Sequence, residues 1–102
     1  MHIFTKEELE KIAVNVFLSI GCPEQDALLA SDVLVSADIR GIDSHGVSRL
    51  VGYVNLWEAG RINPNAEIKI IRDHKSTFTI DGDGGLGLIV APKAMGIAID
   101  RA

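Results

Sequence analysis

Residues Ile80 to Val90 read IDGDGGLGLIV and set Gly82, Gly84 and Gly87 in the register G-x-G-x-x-G. A β-rich run, STFTID (76–81), precedes them, and a small-residue helical pattern, APKAMGIAIDRA (91–102), follows. Strand, glycine loop and helix are the order of a dinucleotide-binding unit, whose helix N-terminus faces a pyrophosphate. Read that way, the stretch opens a classical Rossmann sheet; read as a tight turn, it belongs to an α+β chain. The neighbouring residues favour the turn. The classical unit needs a second parallel strand with an acidic residue about 20 positions on. Asp100 stands near that distance from Gly82 but inside a helical pattern. Asp81 and Asp83 flank the glycines and would repel a pyrophosphate that faced them. Gly82, Gly84 and Gly87 are therefore expected to let the chain leave a strand and enter a helix.

Upstream of the loop, RINPNAEIKIIRDHKSTFTIDG (61–82) predicts two short strands, EIKII and TFTI, with turns at Pro64–Asn65 and at DHKS. Three helices are predicted before that. Thr5 and Glu8 make a capping-box signature, and Leu9, Ile12, Ala13, Val16, Phe17 and Ile20 recur at helical spacing up to Gly21. Pro23 suits the first turn of a second helix, whose Ala27, Ala30, Val33, Leu34 and Ala37 form one apolar face ending near Gly41. A third helix is expected from Ser44 to Ala59, closed by Gly60. A fourth should begin near Ala91 or Pro92. The expected fold is thus an α+β fragment: a three-helix subdomain over residues 1–63, then two short strands, the glycine loop and the start of a fourth helix over 64–102.

The bulk properties narrow the partners. With 102 residues the chain can hold one domain, or a small one and part of another. Its net charge of -4 and ten scattered Lys and Arg leave no basic stripe for nucleic acid or anionic membrane. Cys22 is the single cysteine, which rules out an internal disulfide and a cysteine-rich zinc site. The N-terminus MHIFTKEELEK lacks the pattern of a signal peptide, and no apolar run approaches the ~20 residues of a membrane span. A soluble chain in the reducing cytoplasm is expected.

The chemistry concentrates in GIDSHGVSRLVGYVNLWEAG (41–60). On a helical wheel of about 100° per residue, with His45 at zero, Arg49 falls near ~40° and Tyr53 near ~80°. Val47, Leu50, Val51, Val54 and Trp57 cluster between ~120° and ~240°, which predicts the core side. Ser44 and His45 sit at the helix start, where free N–H groups favour an anion. Arg49 can clamp a carboxylate by two parallel hydrogen bonds, and His45 can exchange a proton with a carbinol oxygen near neutrality. Tyr53 can orient the substrate or simply cover the helix. The same residues also fit a structural reading: Asp43 or Ser44 as an N-cap, Arg49 paired with Asp43 or a neighbouring helix, His45 in a first turn without chemistry, and Tyr53 at a boundary. His2 and His74 are expected in solvent, Trp57 in the core and Cys22 as a buried or half-buried structural thiol. Asp43 and His45 lack partners at metal-site spacing, so no metal is expected.

ADIRGIDSHGVSRLVGYVNLWEAGRINP (37–64), followed by IDGDGGLG (80–87), resembles the N-terminal part of the malate/L-lactate dehydrogenase family. That family also holds ureidoglycolate, sulfolactate and diketogulonate dehydrogenases and is distinct from the Rossmann-type lactate and malate enzymes. The resemblance implies an oxidoreductase that uses NAD or NADP on a small 2-hydroxy or 2-oxo acid, as a cytoplasmic homodimer. It places the proton donor on His45, the substrate-binding arginine on Arg49, an active-site tyrosine on Tyr53 and a substrate-pocket residue on Ser44. It leaves the cofactor-binding residues unassigned, because the family's nicotinamide-binding segments follow later in the chain. Residues 1–63 then correspond to a substrate-site and dimerisation subdomain, and 64–102 to the beginning of a cofactor-binding domain. A fragment of this length is not expected to transfer hydride alone. The alternative is a non-catalytic helical association module or a truncated remnant, suggested by the apolar residues of the fourth helix.

Overall fold

The computed structural model describes residues 5–41 and 46–101. Helix α1 (Lys6–Ser19) starts as its sequence predicts: the Glu8 N–H donates to Thr5 Oγ1 at 3.1 Å, and the Thr5 hydroxyl donates to the Glu8 carboxylate at 3.2 Å. It buries Ala13 and Phe17, one turn apart. Helix α2 (Glu24–Ile39) packs against it, with Pro23 at the N-cap rather than inside the first turn. Its buried set is Asp26, Ala27, Ala30, Ser31, Leu34 and Val35, broader than the expected apolar face and partly polar. The breadth has a cause. α2 is covered by α1 and also by a later helix, so two sides of it leave water.

The third helix differs from the expectation. A 3₁₀ turn (Val47–Arg49) precedes α3 (Leu50–Glu58), so the regular α-helix begins six residues after Ser44. A 3₁₀ turn advances about 120° per residue instead of 100°, which changes the phase of everything after it. The inward stripe becomes Leu50, Tyr53 and Val54, while Val51 is 70% and Trp57 38% exposed. Neither is the core residue the wheel predicts.

Strands β1 (Lys69–Asp73) and β2 (Phe78–Asp81) form a two-stranded antiparallel sheet. Lys69 pairs with Asp81 and Asp73 with Phe78, with a bulge between Ile70 and Arg72. β1 thus lies two residues later than EIKII, and Asp73 belongs to the ladder rather than to the turn. The bulge absorbs Ile71 and moves the register. Helix α4 (Gly87–Arg101) starts four residues before Ala91, which leaves Pro92 inside it. The missing proline N–H costs a helical bond, but the early start carries Ile89 into the core beside Leu86.

One buried cluster joins the four helices: Ala13, Phe17, Ile20, Cys22, Ala27, Ala30, Leu34, Leu50, Leu86 and Ile89. α4 reaches it by crossing α2, where Lys93 Nζ meets the buried carboxylate of Asp26 at 2.7 Å. Burial, then the charge of Asp26, pushes the Cys22 thiol above its ordinary range, as suits an inert structural thiol. At its other end α4 is clasped to the hairpin. Arg101 pairs with Asp73 and lies over the Phe78 ring, 5.1 Å from its centre. Among the described residues no helix is long and apolar enough to cross a membrane.

Candidate functional site

The site is built where α2 hands over to α3. Asp38, in the last turn of α2, turns its carboxylate toward the following 3₁₀ turn, and the Val47 N–H donates to its Oδ2 at 2.9 Å. The contact leaves no room for a side chain at position 46. A Cβ built on Gly46 would lie 2.0 Å from Asp38 Oδ1 and 2.3 Å from Cγ. Glycine is required here by the close approach of the carboxylate, not by an unusual φ, which is -96°. Asp38 therefore ties down the backbone immediately after His45 and supplies the acceptor that a side-chain N-cap usually provides. Asp43, Ser44 and His45 themselves lie outside the described residues.

Two of the expected site residues share a wall. Arg49 and Tyr53 line an open cleft of about 560 Å³ together with Gly52, Asn55, Leu56, Ala59 and Arg61. Tyr53 is half-buried, its ring 6.2 Å from that of Phe17 and tilted by 39°. The ring is therefore packed against α1. Arg49 is exposed, and among the described residues it forms no ion pair. Among the described residues no carboxylate lines the cleft, and the floor of Gly52, Leu56 and Ala59 is small or apolar. A guanidinium with no ion-pair partner among the described residues, beside a packed aromatic ring, is suited to hold a small carboxylate.

Sequence reasoning missed Arg61, which reaches the same cleft through the way α3 ends. Gly60 takes φ +72°, the left-handed conformation that glycine adopts without a Cβ penalty. Its N–H donates to the Trp57 carbonyl at 2.9 Å, and the Arg61 N–H to the Leu56 carbonyl at 2.9 Å. This Schellman turn folds Arg61 back against the last turn of the helix. A cation directly after a helix-stopping glycine was the available signal. Asp38 was missed as well, because its partner lies on another element.

The glycine loop is a turn, as read from the sequence. The Gly85 N–H donates to the Gly82 carbonyl at 3.0 Å, and the Asp83 N–H to the Asp81 carboxylate at 2.8 Å. Asp83 Oδ2 in turn accepts from the Asn63 side chain and the Glu67 N–H, both at 3.1 Å, which fastens the loop to the 63–67 segment. These donors are spent within the chain, and two carboxylates stand among them. The loop does not fit a pyrophosphate, and the antiparallel pairing of β1 and β2 is not that of a dinucleotide-binding unit. The tightest glycine of the loop is Gly85, outside the motif register: its Cβ would come 2.8 Å from Ala66 Cβ. Gly87 meets nothing within 4 Å and is the first residue of α4 rather than part of the turn. Among the described residues no group of three potential metal ligands occurs.

Comparison with known proteins agrees with this architecture. The family model described as malate/L-lactate dehydrogenase matches residues 4–102. The chain is 47% identical over 97 residues to a malate dehydrogenase of Pyrococcus abyssi, covering 95% of this chain and 27% of that protein. The solved sulfolactate dehydrogenase of Methanocaldococcus jannaschii superposes with a TM-score of 0.95 at 42% identity, over 99% of this chain and 29% of the other. The malate dehydrogenase of Pyrococcus horikoshii OT3 gives 0.91 at 43% identity, over 95% and 28%. The chain thus spans less than a third of the length of each relative. In sequence and in fold it corresponds to a portion of these enzymes, and it belongs to the malate/L-lactate dehydrogenase family.

Proposed function

We propose that this chain is the N-terminal portion of an NAD(P)-dependent oxidoreductase that interconverts a small 2-hydroxy acid and its 2-oxo acid. The observation that carries the reading is the cleft in which Arg49 stands beside Tyr53, two residues after a backbone fixed by Asp38. Arg49 holds the substrate carboxylate by paired, charge-assisted hydrogen bonds. His45 gives a proton to the carbonyl oxygen as the oxo acid is reduced and takes it back in the reverse direction. Ser44 is assigned to substrate binding as well, and Tyr53 orients the acid. The hydride belongs to the nicotinamide, which the glycine loop does not hold; this chain contributes the proton and the acid clamp. Relatives named for malate, sulfolactate and hydroxycarboxylate support this substrate class.

In the same reading, residues 1–63 form the substrate-site and dimerisation part, residues 64–102 open the cofactor-binding domain, and the enzyme works as a cytoplasmic homodimer. The test is a panel of 2-oxo acids offered to the intact enzyme with NADH and with NADPH, following nicotinamide oxidation. Turnover of at least one acid is expected, and none with either cofactor would end the proposal. The exposure of Val51, Met95 and Ile99 favours a second reading, an association module without catalysis. A natural 11.0 kDa species that associates and binds no nicotinamide would support it instead.

A further inference from the structure

Arg49 and Arg61 line one cleft from opposite ends of α3, and among the described residues none of the others lining it is acidic. The helix rises about 1.5 Å per residue, which sets the two arginine backbones roughly 15–18 Å apart. Their long side chains border the intervening surface of Gly52, Asn55 and Leu56. Among the described residues neither arginine forms an ion pair. Two like charges in one cleft, with no carboxylate among the described lining residues, favour an anion that can meet both. The Schellman turn at Gly60 fixes the Arg61 backbone in this place, so the second positive charge is built into the end of the helix.

Resting on the proposed 2-hydroxyacid dehydrogenase activity, we propose that Arg61 is a specificity-determining residue, receiving the second anionic group of a dianionic acid whose 2-oxo carboxylate Arg49 holds. An acid with one carboxylate leaves Arg61 unused. An acid with a second carboxylate or a sulfonate at the far end of a short carbon chain engages both arginines. Asn55, on the same wall, offers a neutral donor between them.

The test compares oxaloacetate with pyruvate as substrates of the intact enzyme, with Arg61 and with Arg61→Gln. Losing a hydrogen bond to a charged group predicts that the oxaloacetate-to-pyruvate ratio of kcat/KM falls by about 10-fold or more. Arg61→Lys should restore much of that ratio by returning the charge. Because the readout is a ratio within one protein, a general loss of folding moves both substrates together and leaves it unchanged. An unchanged ratio, or a parent enzyme that prefers pyruvate, overturns this inference while leaving the dehydrogenase reading standing. Failure of the parent enzyme to reduce any 2-oxo acid overturns both.

Discussion

Replacing Gly46 with alanine would place a methyl carbon 2.0 Å from Asp38 Oδ1, 2.3 Å from Cγ and 2.5 Å from Oδ2. No rotation of the methyl relieves this, so either the Asp38 carboxylate or the 46–47 backbone must move. If the carboxylate moves, the 2.9 Å bond from the Val47 N–H is lost. A hydrogen bond to a charged group contributes about 1.5–3 kcal/mol, and forcing a group into a packed site costs about 1–3 kcal/mol. Overlap between the two terms gives an expected destabilisation of about 2–4 kcal/mol. For a domain of this size each kcal/mol lowers Tm by about 4–8 °C, so thermal or urea unfolding reads the effect directly. The cause is tested by a double-mutant cycle. In an Asp38→Ala background the clash is gone, and Gly46→Ala should cost at least ~1 kcal/mol less than in the parent. If Gly46→Ala costs under about 0.5 kcal/mol, or if the two substitutions are additive, Asp38 does not clamp this turn.

Three further outcomes follow from the packing. Lys93→Met strands the buried Asp26 carboxylate, whose partner lies at 2.7 Å, and should cost about 1–3 kcal/mol in urea unfolding; adding Asp26→Asn should recover part of the loss. Ser31 Oγ is buried without a hydrogen-bond partner among the described residues, so Ser31→Ala should be neutral or stabilising by about 0.5 kcal/mol; a clear loss would reveal a partner. The Arg101 guanidinium, and then the Lys75 N–H, hold the Asp73 carboxyl below its usual range. A depressed folded pKa means that this stabilisation is full above the unfolded value, about 3.9, and fades as pH falls through the folded value. The Tm difference between the parent and Asp73→Asn should therefore shrink in acid, and a constant difference across pH would disprove the linkage.

The sequence reading succeeded where a signal is local. Thr5 with Glu8 starts α1, and the glycines at 21, 41 and 60 stop three helices with φ between 72° and 103°. Asp81 and Asp83 showed that the glycine loop is no phosphate cradle, and both carboxylates are engaged in holding the turn. It failed where the cause lies across the fold. The 3₁₀ turn before α3 goes with a bond from Val47 to Asp38 on another helix, which a wheel drawn on one segment does not contain. Asp26 reads as an ordinary acidic first-turn residue, yet it is buried because Lys93 arrives from α4. The β1 shift depends on a bulge that only pairing with β2 reveals. Arg49 and Tyr53, which the spacing sets on one stripe, both border one cleft. Arg61 joins them through a helix-ending turn that periodicity does not describe.

The proposed division of labour between His45 and Arg49 is tested most directly by steady-state kinetics of the intact enzyme on its best 2-oxo acid. His45→Gln should lower kcat by about 10²–10⁴-fold, the usual contribution of a general acid or base. Arg49→Gln should raise KM by about 10–100-fold, as expected from the loss of a charge-assisted carboxylate contact. Unchanged kcat in the first variant together with unchanged KM in the second would contradict the account.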